Sequence, residues 1–378
     1  MYILMTIIVP FFAILGFLDG KSDKLLFRIE ILMMGLMLCF RYGQGTDYFG
    51  YEANYYLVPS SIDIAFLLHN DVHGEIGYTF LVEVCRSMGL SFQWFVGIIS
   101  LFMMLLTYKG IMLYGGKKTI ATLLFYPTYY LTFYYGARQG FALAIVVGGI
   151  IPAFLEKKHL KAIIFTLIGA TIHSSLIIVL VPIIMSRIIE KNKRLLLVGA
   201  TVFGLLVGCF LKMTSINHGY ISFSPSMGAI LLRVILFAAI TRLYRFSETD
   251  DEVNESLYAF YLVGFCIYLA ICPMAFISHR LTAYMKISEC ILISRLLGNL
   301  GVEVFRSYGF TVVKRHVYML FLAICMVESL KNINSYLYQG EYYSNVHFYN
   351  YPYVSVFNKD EICKYRENTF VTKYLDTL

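Results

Sequence analysis

The sequence predicts an all-α polytopic integral membrane protein of about twelve transmembrane helices. Three observations carry that prediction. Of 378 residues, 58% are hydrophobic and only 15% charged, against roughly 45–50% and 25% in soluble globular domains. Apolar runs long enough to span a bilayer recur from end to end. Lys and Arg alternate between rich and poor connecting segments. This balance excludes a soluble globule, a coiled coil, a disordered tail and a small disulfide-stapled scaffold.

In chain order, the predicted spans are 2–18, 27–42, 92–113, 119–135, 137–155, 160–174, 175–190, 194–213, 227–243, 257–277, 280–297 and 315–330. The first run has no Lys or Arg before Lys21, so it lacks the basic start of a cleavable signal and reads as a retained span. Several spans fall short of the ~20 residues a straight crossing needs, which leaves their boundaries soft, most of all over 160–190. All must be helical, because lipid offers the backbone no hydrogen-bond partner.

One set of connecting segments holds nineteen basic residues, from Lys21, Lys24 and Arg28 through Lys157, Lys158 and Lys161 to Lys314 and Arg315. The opposite set holds Arg86, Arg138 and Arg280 before the tail. The rich side is therefore expected in the cytoplasm. The net charge of +7 reads as this bias, with no need of nucleic acid. Both termini then face outward, and the chain divides into a polytopic domain, 1–330, and a Tyr-rich tail, 331–378. The 43–91 loop is outer too. Within it, 76–90 is apolar but carries Glu83 and Arg86, and is expected to be an interfacial or re-entrant helix.

Motifs of soluble enzymes fail. The spacing from Gly110 to Gly115 is Walker-like, but Gly116 follows where Lys is required and no strand precedes it. There is no G-x-S-x-G, no H-E-x-x-H and no D-x-D. The eight Cys form no C-x-x-C pair and show no zinc spacing, so neither metal nor cofactor is expected. The Tyr clusters, such as Tyr129–Tyr130 and Tyr134–Tyr135, read mainly as interface belts, although aromatic faces also stack on sugar rings. Lys286 and Glu289 are spaced for a buried i,i+3 ion pair, and Arg233 and Lys212 read as structural.

Polar residues at membrane depth are costly and so are functional candidates. Arg41, Asp47, Glu75, Arg138, Gln139, His173, His279 and Arg280 all fall at outer span ends or beside them. An Arg fork grips phosphate oxygens bidentately and stays charged, so three Arg at one face suit an anionic, pyrophosphate-bearing substrate. The plain alternatives are snorkelling for each Arg and simple packing for His173.

Four blocks resemble a known family: Arg41-Tyr-Gly-Gln-Gly-Thr-Asp47-Tyr48-x-x-Tyr51, Glu75-Ile-Gly77-Tyr78, Ala137-Arg138-Gln139-Gly-Phe-Ala142 and His173-Ser-Ser175. Arg280-Leu-x-x-Tyr284 is a looser fifth. They are similar to the EpsG-like bacterial polysaccharide polymerases, which include O-antigen polymerases of the Wzy type, and the likeness covers about residues 30–300. After 331 it is faint, mainly in Tyr351-Pro-Tyr353.

The resemblance implies glycosyl transfer between undecaprenyl-pyrophosphate-linked oligosaccharides, donor and acceptor, on the periplasmic face of the inner membrane, without nucleotide or metal. It implies membrane lipid, a flippase and a chain-length regulator as partners, and no nucleic acid. Such chemistry needs a base for the acceptor hydroxyl and cations for the departing pyrophosphate. Asp47 is the first candidate base, with Glu75 and His173 beside it. Arg138 and Arg280, with Arg41 as a third, suit the pyrophosphate, and Gln139 a sugar hydroxyl. The rivals are a lipid-linked glycan ligase, disfavoured by the short 214–226 loop, and a flippase or carrier, which would place charges at midplane.

Overall fold

Backbone in lipid must find its hydrogen bonds within the segment, and this chain finds them in helices. In a computed structural model, residues 2–43, 47–69, 74–214, 217–218, 221–246, 251–299, 303–307, 310–337 and 353–359 are described. The first helices are α1 (Tyr2–Leu18), α2 (Asp23–Cys39), α3 (Tyr48–Leu57), α4 (Ile64–His69), α5 (Ile76–Ser87) and α6 (Phe92–Tyr114). Next come α7 (Lys118–Phe125), α8 (Thr132–Tyr135), α9 (Ala137–Ile145), α10 (Ile151–Leu155), α11 (His159–Ile172) and α12 (Leu180–Thr214). The chain continues through α13 (Met227–Phe246), α14 (Glu252–Ile271), α15 (Ala275–Lys286), α16 (Ser288–Gly298) and α17 (Lys314–Leu337). Two short antiparallel hairpins, Asn217–His218 with Ile221–Ser222 and Glu303–Ser307 with Phe310–Val313, lie in the connections.

The helical class is as expected, but twelve spans are not reached. Among the described residues, six helices are long and apolar enough to cross: Phe92–Tyr114, Ala137–Leu155, Leu196–Thr214, Met227–Phe246, Glu252–Ile271 and Lys314–Asn334. Three more are apolar but shorter: Leu4–Leu18, His159–Ile172 and Ser174–Met185. The shortfall has local causes. The 118–135 run passes through a π-helical segment, Tyr126–Tyr130, around Pro127 and is then broken by a turn at Leu131. The run 275–298 is broken at Ile287, between α15 and α16. The separate spans 175–190 and 194–213 are also corrected. After a 3₁₀ turn, Ser174–Val179, one helical run continues from Leu180 to Thr214. Residues of both its halves, Val181 and Met185, then Leu196, Leu197 and Ala200, pack on the α14 cluster. The described residues of 43–91 hold three short helices, α3 to α5; α5 falls on the helix expected over 76–90, and α3 and α4 lie where loop was expected.

The core sits around α7 to α10. Phe125, Tyr126, Tyr130, Phe133 and Tyr134 are fully buried. These tyrosines are thus core and not an interface belt. Their hydroxyls are partnered inside: Tyr130 Oη donates to Met34 O at 2.7 Å and meets Tyr134 Oη at 2.9 Å, and Tyr126 Oη donates to Tyr2 O at 3.2 Å. Small residues let backbones touch, as in other membrane bundles. A Cβ at Gly110 would fall 2.1 Å from Val147 O, and one at Gly148 2.4 Å from Leu106 O. That mutual crossing of α6 explains Gly110 without any phosphate loop.

Charges are handled locally. Asp23 of α2 caps the start of α7, accepting from Lys118 N at 2.8 Å, Thr119 N at 3.2 Å and Thr119 Oγ1 at 2.6 Å. Glu289 is buried, but its ion-pair partner is Arg233 of α13 rather than Lys286. The i,i+3 spacing was a weaker lure than a guanidinium from a neighbouring helix.

Candidate functional site

At one end of the bundle, helix breaks expose three side chains to one another. Glu75 is the N-cap of α5, with an extended backbone. Arg138 is the second residue of α9, just after the break at Gly136. His173 ends α11 in an extended conformation. A helix break frees the side chain from the helical row, so each can turn to a common point. Gly77 sets the approach of α5 to α11: a Cβ there would meet Thr171 Oγ1 at 2.1 Å and the Thr171 carbonyl carbon at 2.9 Å. The glycine in the Glu75-Ile-Gly77-Tyr78 block therefore brings Glu75 to His173.

Glu75 bridges the other two. Arg138 donates to Glu75 Oε2 at 2.5 Å, and His173 Nδ1 lies 3.1 Å from Oε1. Ser174 N donates to the same Oε1 at 3.2 Å. All three side chains are partly accessible, at 17% for Arg138 and His173 and 22% for Glu75. Burial works to raise the Glu75 carboxyl. The His173 contact, the Arg138 charge and the Ser174 N–H outweigh it and hold the group at about 2. Glu75 is therefore an anion, and an ionised carboxylate only accepts. That makes His173 Nδ1 the donor in their contact.

Two tyrosines of the quoted blocks complete the cluster. The Arg138 guanidinium sits over the rings of Tyr51, at 5.8 Å, and Tyr78, at 5.9 Å. The charges of both Arg138 and Arg41 act on the Tyr78 hydroxyl. Arg41 is buried, donates Nη1 to Phe133 O at 2.5 Å and lies 5.2 Å from the Tyr134 ring centre. Arg41, Tyr48, Tyr51, Tyr78, Phe92 and Ala137 line a cavity of ≈ 10 Å³, which admits about one water. Nε of Arg41 and Nε of Arg138 are buried donors without a partner among the described residues. Such donors gain from an anionic acceptor.

The remaining expected residues lie at the margin. Arg280, on α15, is exposed and lies over the Phe276 ring at 4.1 Å. Four residues on, Tyr284 is buried with Oη 2.9 Å from Ser175 Oγ, and the charges of Glu75 and Arg280 both reach it. Gln139 is half-buried next to Arg138. Asp47 is exposed at the N-cap of α3, one turn before Tyr51. Gly45 lies outside the described residues. The structure thus joins Glu75, Arg138 and His173 directly, places Arg41 across Tyr78, and leaves Asp47 and Arg280 on the rim. Sequence reasoning missed Gln93, which accepts from Tyr48 Oη at 2.8 Å and donates to Arg41 O at 3.2 Å. Its signal was a lone polar residue opening an apolar span. No group of three or more His, Cys, Asp or Glu suited to a metal ion occurs among the described residues.

A multi-pass helical bundle with a carboxylate-bridged Arg–His pair at one end defines a membrane protein with a charged, partly buried site. The chain belongs to the EpsG family, whose model matches residues 24–342. That membership fits a polysaccharide-polymerase-like membrane protein. No curated protein and no solved structure matches it.

Proposed function

We propose that this protein polymerises glycan repeat units on the periplasmic face of a bacterial inner membrane. It moves a growing chain from undecaprenyl pyrophosphate to the non-reducing end of a second lipid-linked unit, without nucleotide. The observation that carries the reading is the Glu75 bridge between Arg138 and His173, in a chain of the EpsG family.

In the transfer, the acceptor hydroxyl oxygen bonds to the anomeric carbon. The bond from that carbon to the pyrophosphate oxygen breaks, and its electron pair leaves with the pyrophosphate. The hydroxyl proton passes to His173 Nε2, while Glu75 holds the Nδ1 proton and steadies the imidazolium as it forms. Arg138 and Arg41, with Arg280 at the rim, balance the charge on the leaving pyrophosphate, and they do so best where water is scarce. Gln139 and Asp47 hold sugar hydroxyls. Asp47 is also the second candidate base. A flippase and a chain-length regulator work beside the enzyme.

The test is genetic and chemical together. A strain without the protein is expected to carry a single repeat unit on its lipid core and no long chains. His173→Gln, at matched protein level, is expected to lose about 10²–10⁴-fold in turnover while still binding lipid-linked substrate. A null strain that transfers no unit at all would point to a flippase or ligase. Normal chains in that strain would refute all three readings. Full turnover in His173→Gln with loss in Asp47→Asn would move the base to Asp47.

A further inference from the structure

The family match ends at residue 342, yet a short segment beyond it is built into the site. Residues 353–356 pair antiparallel with Phe40–Tyr42, directly after α2. Tyr42 N donates to Val354 O at 3.1 Å, and Val356 N donates to Phe40 O at 3.0 Å. Those two bonds bracket Arg41 opposite Ser355, the arrangement in which facing Cα atoms come closest, about 4.5 Å apart. Val354 and Ser355 are buried.

The segment is tied down at both ends. Tyr353 Oη donates to Met37 O at 2.6 Å, one of the last-turn carbonyls of α2 that the helix itself leaves unpaired. Asn358 closes the far side. Its Oδ1 accepts from Ser355 N at 2.7 Å and Ser355 Oγ at 2.8 Å, and its Nδ2 donates to Tyr353 O at 3.3 Å. Phe357 packs on Phe40, with ring centres 5.3 Å apart. Arg41 is the residue gripped between these contacts and Gln93. Just past a helix end no helical ladder fixes the backbone, so the added strand holds Phe40 O and Tyr42 N on either side of Arg41, and Gln93 holds Arg41 O.

We propose that residues 353–359 are a positioning element for substrate: by pairing with Phe40–Tyr42 they aim the Arg41 guanidinium at the pyrophosphate of the lipid-linked substrate. The proposal rests on the role given to Arg41 under the proposed function. The tail touches no reacting atom and acts through Arg41.

Val356→Pro removes the N–H donated to Phe40, while Val356→Thr keeps it. The assay uses full-length protein in membranes at matched levels, with undecaprenyl-pyrophosphate-linked repeat units as the probe. Val356→Pro is expected to raise KM for the probe about tenfold or more, the worth of one charge-assisted contact, and Val356→Thr to behave as wild type. In an Arg41→Ala background, Val356→Pro is expected to add less than about twofold, since both act through one group. An unchanged KM in Val356→Pro, or fully additive losses, overturns the proposal. A second measurement needs no activity. Arg41→Cys is expected to resist a membrane-impermeant maleimide and to react once Val356→Pro is added. Protection that survives Val356→Pro overturns the proposal by itself. Wild-type membranes that build no chains from the probe would refute the proposed function instead, and the thiol assay would still decide whether the tail holds position 41.

Discussion

Glu75→Gln removes a charge from between Arg138 and His173 while keeping size and one acceptor oxygen. The fall of the carboxyl from 4.5 to about 2 corresponds to about 3 kcal/mol, at roughly 1.4 kcal/mol per tenfold. The side chain is 22% exposed, and screening by solvent trims the expected loss to about 1–3 kcal/mol. Because the folded carboxyl sits below its ordinary value, its contribution is fully present above about pH 4.5 and is lost as pH falls toward 2. The assay is thermal unfolding of purified protein in detergent, wild type against Glu75→Gln, from pH 8 to pH 3. At about 2–4 °C per kcal/mol, Tm is expected to fall by several degrees. The gap should be flat from pH 8 to 5 and narrow below about 4.5. A gap that is absent at pH 7, or that widens as pH falls below 4.5, would refute the electrostatic account of the bridge.

Gly77→Val forces a side chain into Thr171; overpacking of this kind costs about 1–3 kcal/mol, and the variant should insert but lose long chains, scored by the glycan ladder on a gel. Arg138→Lys keeps the charge but loses the planar fork; it should insert normally and build few or no long chains, whereas full ladders would show that charge alone matters there. Arg233→Ala leaves Glu289 buried without its partner, a loss of about 3–5 kcal/mol, and should lower protein level far more than Arg242→Ala. Reporter fusions after Gly110 should report cytoplasm, and fusions near Val58 the outside; an inside location for 43–91 would remove the proposed site from the periplasm.

The helical class was legible because it follows from composition and from the recurring apolar runs. The 92–113 and 137–155 spans were read almost residue for residue, since each is one unbroken apolar run. Where a turn on an apolar residue interrupts a run, as at Leu131 and Ile287, hydropathy alone could not show the break. The Arg187–Arg194 cluster looked like a loop by charge, yet the helix runs on through it, because Lys, Arg and Glu are good helix formers. Within the site, the sequence names Glu75 and His173 as candidate bases and Arg138 for the pyrophosphate, but not the direct contacts that join the three. Asp47 was ranked first on a nearby glycine-rich turn. The partner that shifts a carboxyl from base to ionised clamp is 63 residues away from Glu75, and no local pattern reports it. Glu289 was assigned the wrong partner for the same reason.

The helices differ greatly in what surrounds them. In the Ala137–Leu155 span 83% of an 18-residue stretch is buried in protein, whereas in Leu196–Thr214 the share is 11% and in Met227–Phe246 17%. Two different constraints therefore govern how this sequence can drift. On the outward residues of 196–214, such as Val198, Leu205 and Phe210, a side chain answers mainly to lipid, so apolar residues are close to interchangeable and charge is barred, whereas Gly204, whose Cβ would fall 2.0 Å from Leu269 O, is held to its size. Along 137–155 shape rules, and Gly148, with Leu106 O where its side chain would be, has no apolar substitute. A homologue could replace most of the outer helices and still present Arg138 in the same place, while one extra methyl on the central rod would displace it.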